Sequence, residues 1–301
     1  MILGISNNSK RFLVKDKDIY RYYALNNGSF ICNSNYKSVD FVKFGIICII
    51  NDNNIEFYNM DDDLKILDIN LEFQIDEILD ISKDLSLILI KKSNEILLLD
   101  TKSKEILKEF IFGNTSKVKI ELSKDGKYVV YKDEIIYVYY IEKNELVQLT
   151  TTDTVYATTY FLIYEDVLII IGRYFSINSN FAIYDLKSNQ LQNKCNCSPG
   201  SRKTSYLLSC LINKDLIAQV GILGAFDQYP RFMLAKTNGE FIGYYDLKNF
   251  TKFIPSNDGN YLLLEKESIG EADNLYFIDF RNISENLQND DIKDYSFIYE
   301  N

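Results

Sequence analysis

The chemistry open to this chain is bounded first by a residue it lacks, since its 301 residues contain no histidine. That removes the usual general base near neutral pH, the Ser-His and Cys-His nucleophile pairs, and the commonest transition-metal ligand. Carboxylates and thiols remain. Asp61-Asp62-Asp63 and Asp290-Asp291 are dense acidic runs, but a calcium loop spaces its oxygen ligands along the chain, and these runs read instead as solvated turns. Cys195-Asn196-Cys197 and Cys210 form the one thiol cluster. A tetrahedral zinc site needs a fourth ligand that no His or nearby Cys supplies, so these cysteines read as structural. Gly200-Ser201-Arg202-Lys203 has some of the composition of a phosphate loop, without the flanking glycines or the following helix. No catalytic residue, metal or cofactor is expected.

The elements that would position any site are easier to read. A Ser-x-Asp-Gly-x-aromatic phrase, followed by an apolar run, a polar turn and a second apolar run, returns along the chain. Its clearest copies are Ser123-Lys124-Asp125-Gly126-Lys127-Tyr128 and Ser256-Asn257-Asp258-Gly259-Asn260-Tyr261. Weaker copies start at Ser6, where Asn8 and Ser9 replace Asp-Gly, and at Ser82, where Leu85 follows Asp84. Paired apolar runs without the phrase place three more units, at 44–58, 167–184 and 216–235. Units therefore start near 1, 39, 77, 118, 156, 206 and 250, a period of about 42 residues, within the range of four-stranded propeller blades. The runs are short, rich in Ile, Val, Tyr and Phe, and bounded by Asn, Asp, Gly and Lys, which makes them strands rather than helices. Gly126 and Gly259 suit positive φ, and Asp125 and Asp258 can bond to the backbone two residues on.

On these residues the chain resembles WD40-like and TolB-like β-propeller repeats over nearly its whole length. The resemblance implies an all-β, seven-bladed β-propeller of four-stranded antiparallel blades, in one domain spanning 1–301. With neither Trp nor His, the Trp-Asp and Gly-His signatures of true WD40 repeats are missing, so Tyr and Phe must fill the space between blades. Residues 1–5 are expected as the inner strand of the first blade and 295–299 as the outer strand of the last, with 282–294 as a connecting excursion.

Composition excludes several partners. Forty-three acidic against 33 basic residues give a formal charge of −10, which opposes a phosphate backbone or an anionic membrane. No apolar run approaches the roughly 18 residues of a membrane span. The five cysteines, Cys32, Cys48, Cys195, Cys197 and Cys210, lack framework spacing, which fits a reducing compartment. The expectation is a cytoplasmic protein, monomeric on its own, that binds neither nucleic acid nor membrane.

The asymmetry between units points to a working face. Hairpins between second and third strands are minimal in units one to four (16–18, 51–54, 92–94 and 132–134) and long in units five to seven (172–180, 221–231 and 267–274). The connection 193–205 opens on the same face. Four of the six arginines lie in the last three units, and Arg173, Arg202 and Arg231 fall in or beside the long loops. Together with Lys203, Tyr174, Phe175, Phe226 and Tyr229 they supply residue types that dominate interface hot spots. The function expected is a non-catalytic scaffold that binds a protein or peptide, acidic in character, through this face. The alternative is a small-molecule-binding or hydrolytic propeller, lactonase-like, using carboxylates at the central channel.

Overall fold

The computed structural model describes residues 1–113, 118–133, 135–149, 158–176, 179–195, 204–223, 231–238, 240–245, 250–266, 274–282 and 292–294. They form seven four-stranded antiparallel sheets, each of four strands consecutive in sequence. The fold class is the all-β, seven-bladed β-propeller that the repeat predicts. Blade 1 runs from strand Ile2–Ile5 to strand Phe30–Asn33, blade 2 from Phe41–Lys43 to Lys65–Asn70, blade 3 from Glu77–Ile81 to Ile106–Ile111, and blade 4 from Lys119–Leu122 to Glu145–Gln148. Blade 5 runs from Thr158–Tyr164 to Gln190–Cys195, blade 6 from Thr204–Leu211 to Phe241–Tyr245, and blade 7 from Phe250–Pro255 to Ile292–Asp294. The chain divides into two compact units, Met1–Ser34 with Thr151–Asn301, and Asn35–Thr150.

Position within a blade explains the strand sequences. The second strand of blade 3, Leu87–Lys92, buries Leu87, Ile88, Leu89 and Ile90 in succession, because blade-on-blade packing covers both of its faces; an alternating pattern would leave one face polar. The outer strand Lys65–Asn70 of blade 2 is instead mostly exposed, and its Lys65 and Asp68 protect a free sheet edge. Between blades 3 and 4 rings pack among Leu, Ile and Val side chains: Phe110 lies edge-on to Tyr131 and Tyr139, at 5.6 and 5.7 Å between centroids, and Tyr131 stacks on Tyr137 at 5.0 Å. This is the work left to Phe and Tyr in a chain without Trp.

The repeated phrase builds one turn four times. In blade 4 the Ser123 hydroxyl donates to Asp125 at 2.8 Å and accepts the amides of Lys127 and Tyr128, each at 3.0 Å. Ser256 repeats these bonds with Asp258 and the Tyr261 amide, and Ser82 with Asp84 and the Leu87 amide. Ser6 pairs with Asn8 and accepts the Arg11 amide. All four serines are buried. The residue at the glycine position has positive φ in every copy: Ser9 at 55°, Leu85 at 59°, Gly126 at 72° and Gly259 at 70°. Burial pushes the carboxyls of Asp84, Asp125 and Asp258 up, but hydrogen bonds from the turn outweigh it and hold all three below the usual carboxylate range.

The last blade departs from expectation. Its outer strand is Ile292–Asp294, paired with Asn274–Asp279, inside the stretch expected as a connecting excursion; the residues 295–299 expected there lie outside the described residues. The sole helical element described is a 3-10 turn, Phe280–Asn282.

Candidate functional site

The long-loop face changes character once its strands are seen. Gly172 looked like the start of a nine-residue loop, but it pairs with Thr158, and the second strand of blade 5 continues as Val167–Ser176. Arg173, Tyr174 and Phe175 are therefore strand residues and not loop residues. Regular pairing with the third strand holds as far as Ile171 opposite Phe181, is interrupted, and resumes with Ser176 opposite Ser179. A bulge of this kind is a common way to re-aim side chains at the end of a sheet.

Blade 6 extends in the same way. Its second strand, Leu216–Leu223, takes in the first three residues of the expected loop, and Arg231 opens the third strand opposite Gly221. The connection expected over 193–205 is shortened at both ends, because Gln190–Cys195 ends blade 5 and Thr204–Leu211 begins blade 6. Arg202, Lys203, Phe226 and Tyr229 lie outside the described residues, as does 267–273 of the third loop. The second strands of blades 5 and 6 are 10 and 8 residues long, against 6, 6 and 5 in blades 2, 3 and 4. The sheets of these two blades thus grow at the hairpin end that carries Arg173 and Arg231.

Two inner strands of the unit Asn35–Thr150 carry the acids Asp80 and Glu121. Asp80, on the inner strand of blade 3, is only 2% exposed. One of its oxygens accepts the Lys43 ammonium of blade 2 at 2.5 Å and its neighbour's amide, Ile81 N–H, at 2.8 Å; the other accepts Leu122 N–H of blade 4 at 2.8 Å. Burial pushes the Asp80 carboxyl up, against the pull of Lys43 and Leu122 N–H. Glu121, on the next inner strand, pairs with Lys119 at 2.9 Å. Both acids are engaged with the protein itself, and the bonds of Asp80 tie three inner strands together.

Other features here went unread in the sequence. Phe44 takes φ 54° and Gly45 φ 70°, a two-residue hairpin turn in which Phe is unfavourable. Its ring lies 5.0 Å from the Lys43 ammonium and 5.8 Å from that of Lys124. In blade 6, Gln219 is fully buried, and neither end of its amide finds a partner. A polar residue inside an otherwise apolar strand, as at Asp80 and Gln219, was the available signal.

The structure describes part of the thiol cluster and of the acidic runs. Burial pushes the Cys48 and Cys210 thiols up, so both stay protonated. Cys195 ends a strand, while Cys197 lies outside the described residues. Asp62 accepts Leu64 N–H at 3.1 Å and Asp63 accepts the Tyr36 hydroxyl at 2.8 Å, both within blade 2 and the segment leading into it; Asp290 and Asp291 lie outside the described residues. Among the described residues no group of three or more Cys, Asp or Glu could hold a metal ion. Among them, too, no helix is long and apolar enough to cross a membrane.

No family model matches the chain, and no curated protein matches it in sequence. By structure it is similar to Hsv2p of Kluyveromyces lactis, with 10% identity, 92% of this chain and 93% of that one covered, and a TM-score of 0.58. A chain in the crystal structure of the Mitotic Checkpoint Complex is similar at 13% identity, 88% and 84% coverage and a TM-score of 0.51. The dihydro-heme d1 dehydrogenase NirN is similar at 10% identity, 91% and 72% coverage and a TM-score of 0.52. At these identities the likeness carries the fold alone, and the fold is that of the WD40-like β-propellers.

Proposed function

We propose that this chain is a single-domain, non-catalytic propeller scaffold that binds a protein or peptide through the hairpin ends of blades 5 to 7. The observation that carries the reading is the growth of the second strands of blades 5 and 6, which sets Arg173, Tyr174, Phe175 and Arg231 at the end of the blade where loops are longest in sequence. Arg202, Lys203, Phe226 and Tyr229 follow in the sequence segments between those strands and are included in the proposed site on that ground. Strands carrying Arg and aromatic residues supply the residue types that dominate hot spots. Three arginines and a lysine stand against a background of −10, so the partner is an acidic segment whose carboxylates the guanidinium forks engage bidentately.

One neighbour of this fold belongs to a protein assembly, the Mitotic Checkpoint Complex, and another, NirN, is an enzyme; the fold alone therefore does not choose. The engagement of Asp80 and Glu121 within the protein favours the scaffold over carboxylate chemistry at the channel. A cytoplasmic location is in keeping with free Cys32, Cys48 and Cys210; that the protein is monomeric on its own is part of the proposal.

A photo-crosslinking residue placed at Tyr174 tests the face directly, with Glu165 as control because it lies in the turn at the opposite end of the same blade. Crosslinks to a partner are expected from 174 and not from 165. Crosslinks from 165 alone would put the partner on the other face.

A further inference from the structure

Every blade is made of four consecutive strands, so among the described residues no strand is exchanged between the last blade and the first, and no backbone ladder joins them. Yet the two meet closely. Ile2, Ile5, Phe12 and Val14 of blade 1 share one apolar cluster with Leu263, Leu275 and Phe277 of blade 7.

Polar bonds cross the seam at Ile2. Glu265, 6% exposed, accepts Ile2 N–H at 2.9 Å. Lys252 donates its ammonium to the Ile2 carbonyl at 2.7 Å. Lys252 and Glu265 are direct cross-strand partners in blade 7, so one offers a donor and the other an acceptor, side by side. An adjoining strand would present the same two functions to Ile2 from its backbone. At the turns, Asn257 donates to the Asn7 side-chain oxygen at 2.8 Å.

We propose that Lys252 and Glu265 form a clasp that reads the backbone of Ile2 and closes the last blade onto the first in place of an exchanged strand, and that blade 1 opens there when the clasp is removed. The burial of Lys252, which pushes its amine's pKa down against the pull of Glu265, fits a group committed to one acceptor.

Hydrogen exchange followed by mass spectrometry tests this on the full chain. In Glu265→Ala the amides of Ile2–Ile5 and of Phe12 to Val14 should exchange about tenfold faster or more, while those of Leu87–Lys92 in blade 3 keep their rates, since local opening and global unfolding are separable by site. Glu265→Gln, which keeps an acceptor for Ile2 N–H but gives up the charge that Glu265 presents to the N-terminal ammonium at 3.3 Å, should accelerate exchange in blade 1 less than Glu265→Ala does. A disulfide from Asn7→Cys with Asn257→Cys should restore slow exchange to Glu265→Ala. If Glu265→Ala fails to fold, Lys252→Met keeps the packed stem and removes only the donor, and the same acceleration confined to blade 1 is expected of it. Unchanged exchange in blade 1, or acceleration of blades 1 and 3 together, would overturn the clasp and leave Glu265 and Lys252 as ordinary contributors to global stability.

Discussion

Gly259→Val should be among the most damaging single changes to this protein, lowering stability by about 3 kcal/mol or more in urea unfolding. Two costs combine. At φ 70° a β-branched residue is strained, and a Cβ built there would stand 2.4 Å from Asn213 Cβ and 3.0 Å from the Ile212 carbonyl oxygen. Asn213 cannot easily retreat. Its amide nitrogen donates to the Gly259 carbonyl at 3.1 Å, and its oxygen accepts the amides of Asp215 and Leu216 at 2.8 and 3.0 Å. Gly126 separates the two costs, because its φ is 72° but its Cβ would first meet Leu87 Cδ1, the end of a flexible side chain, at 3.2 Å. Gly126→Val should therefore cost nearer 1 kcal/mol, from the backbone alone. Equal losses at the two sites would show that nesting of the blade 7 turn on blade 6 contributes nothing.

Asp80→Ala should cost about 3 kcal/mol, because it strands Lys43 and leaves Ile81 N–H and Leu122 N–H without their acceptor. Lys43→Met carries a further signature. It keeps the carboxyl buried and removes the main group pulling its pKa down, so the protonated acid becomes the form that the fold tolerates. For an acid whose folded pKa lies above its unfolded one, stability is present at low pH and is lost as pH rises through the folded pKa. The deficit of Lys43→Met relative to wild type should therefore widen as pH rises above the ordinary carboxylate range. A deficit independent of pH would mean that Asp80 remains ionised without Lys43.

The contrast between Gly259 and Asp80 also marks what could be read in advance. The turns were legible because their chemistry is local: a serine, a short acid and a glycine within six residues bond to one another whatever surrounds them. Even the degenerate copies obeyed, with Ser9 and Leu85 taking the positive φ that glycine takes elsewhere. Asp80 stands out in its strand as a polar residue, but its partners are not legible, because Lys43 and Leu122 come from neighbouring blades and nothing in Glu77–Ile81 names them. Arg173 to Phe175 were found as residues but misread as loop, because Gly172 is ordinarily a punctuator and a bulged strand looks the same in sequence. The outer strand Ile292–Asp294 was missed for the opposite reason: two of its three residues are charged, as an edge tolerates, and the more apolar stretch after it drew the assignment.

If a partner is held at the hairpin ends of blades 5 to 7, as proposed, charge reversal at Arg173 and Arg231 is the most direct test. Arg173→Glu with Arg231→Glu, checked for an unaltered melting transition, should be compared with wild type in affinity capture from the native cell extract, followed by titration of each captured partner. The account predicts that the specific partner is lost or weakened by about a hundredfold, as expected when guanidinium–carboxylate pairs become like-charge contacts. A folded double variant that retains every specific partner at wild-type affinity would contradict it.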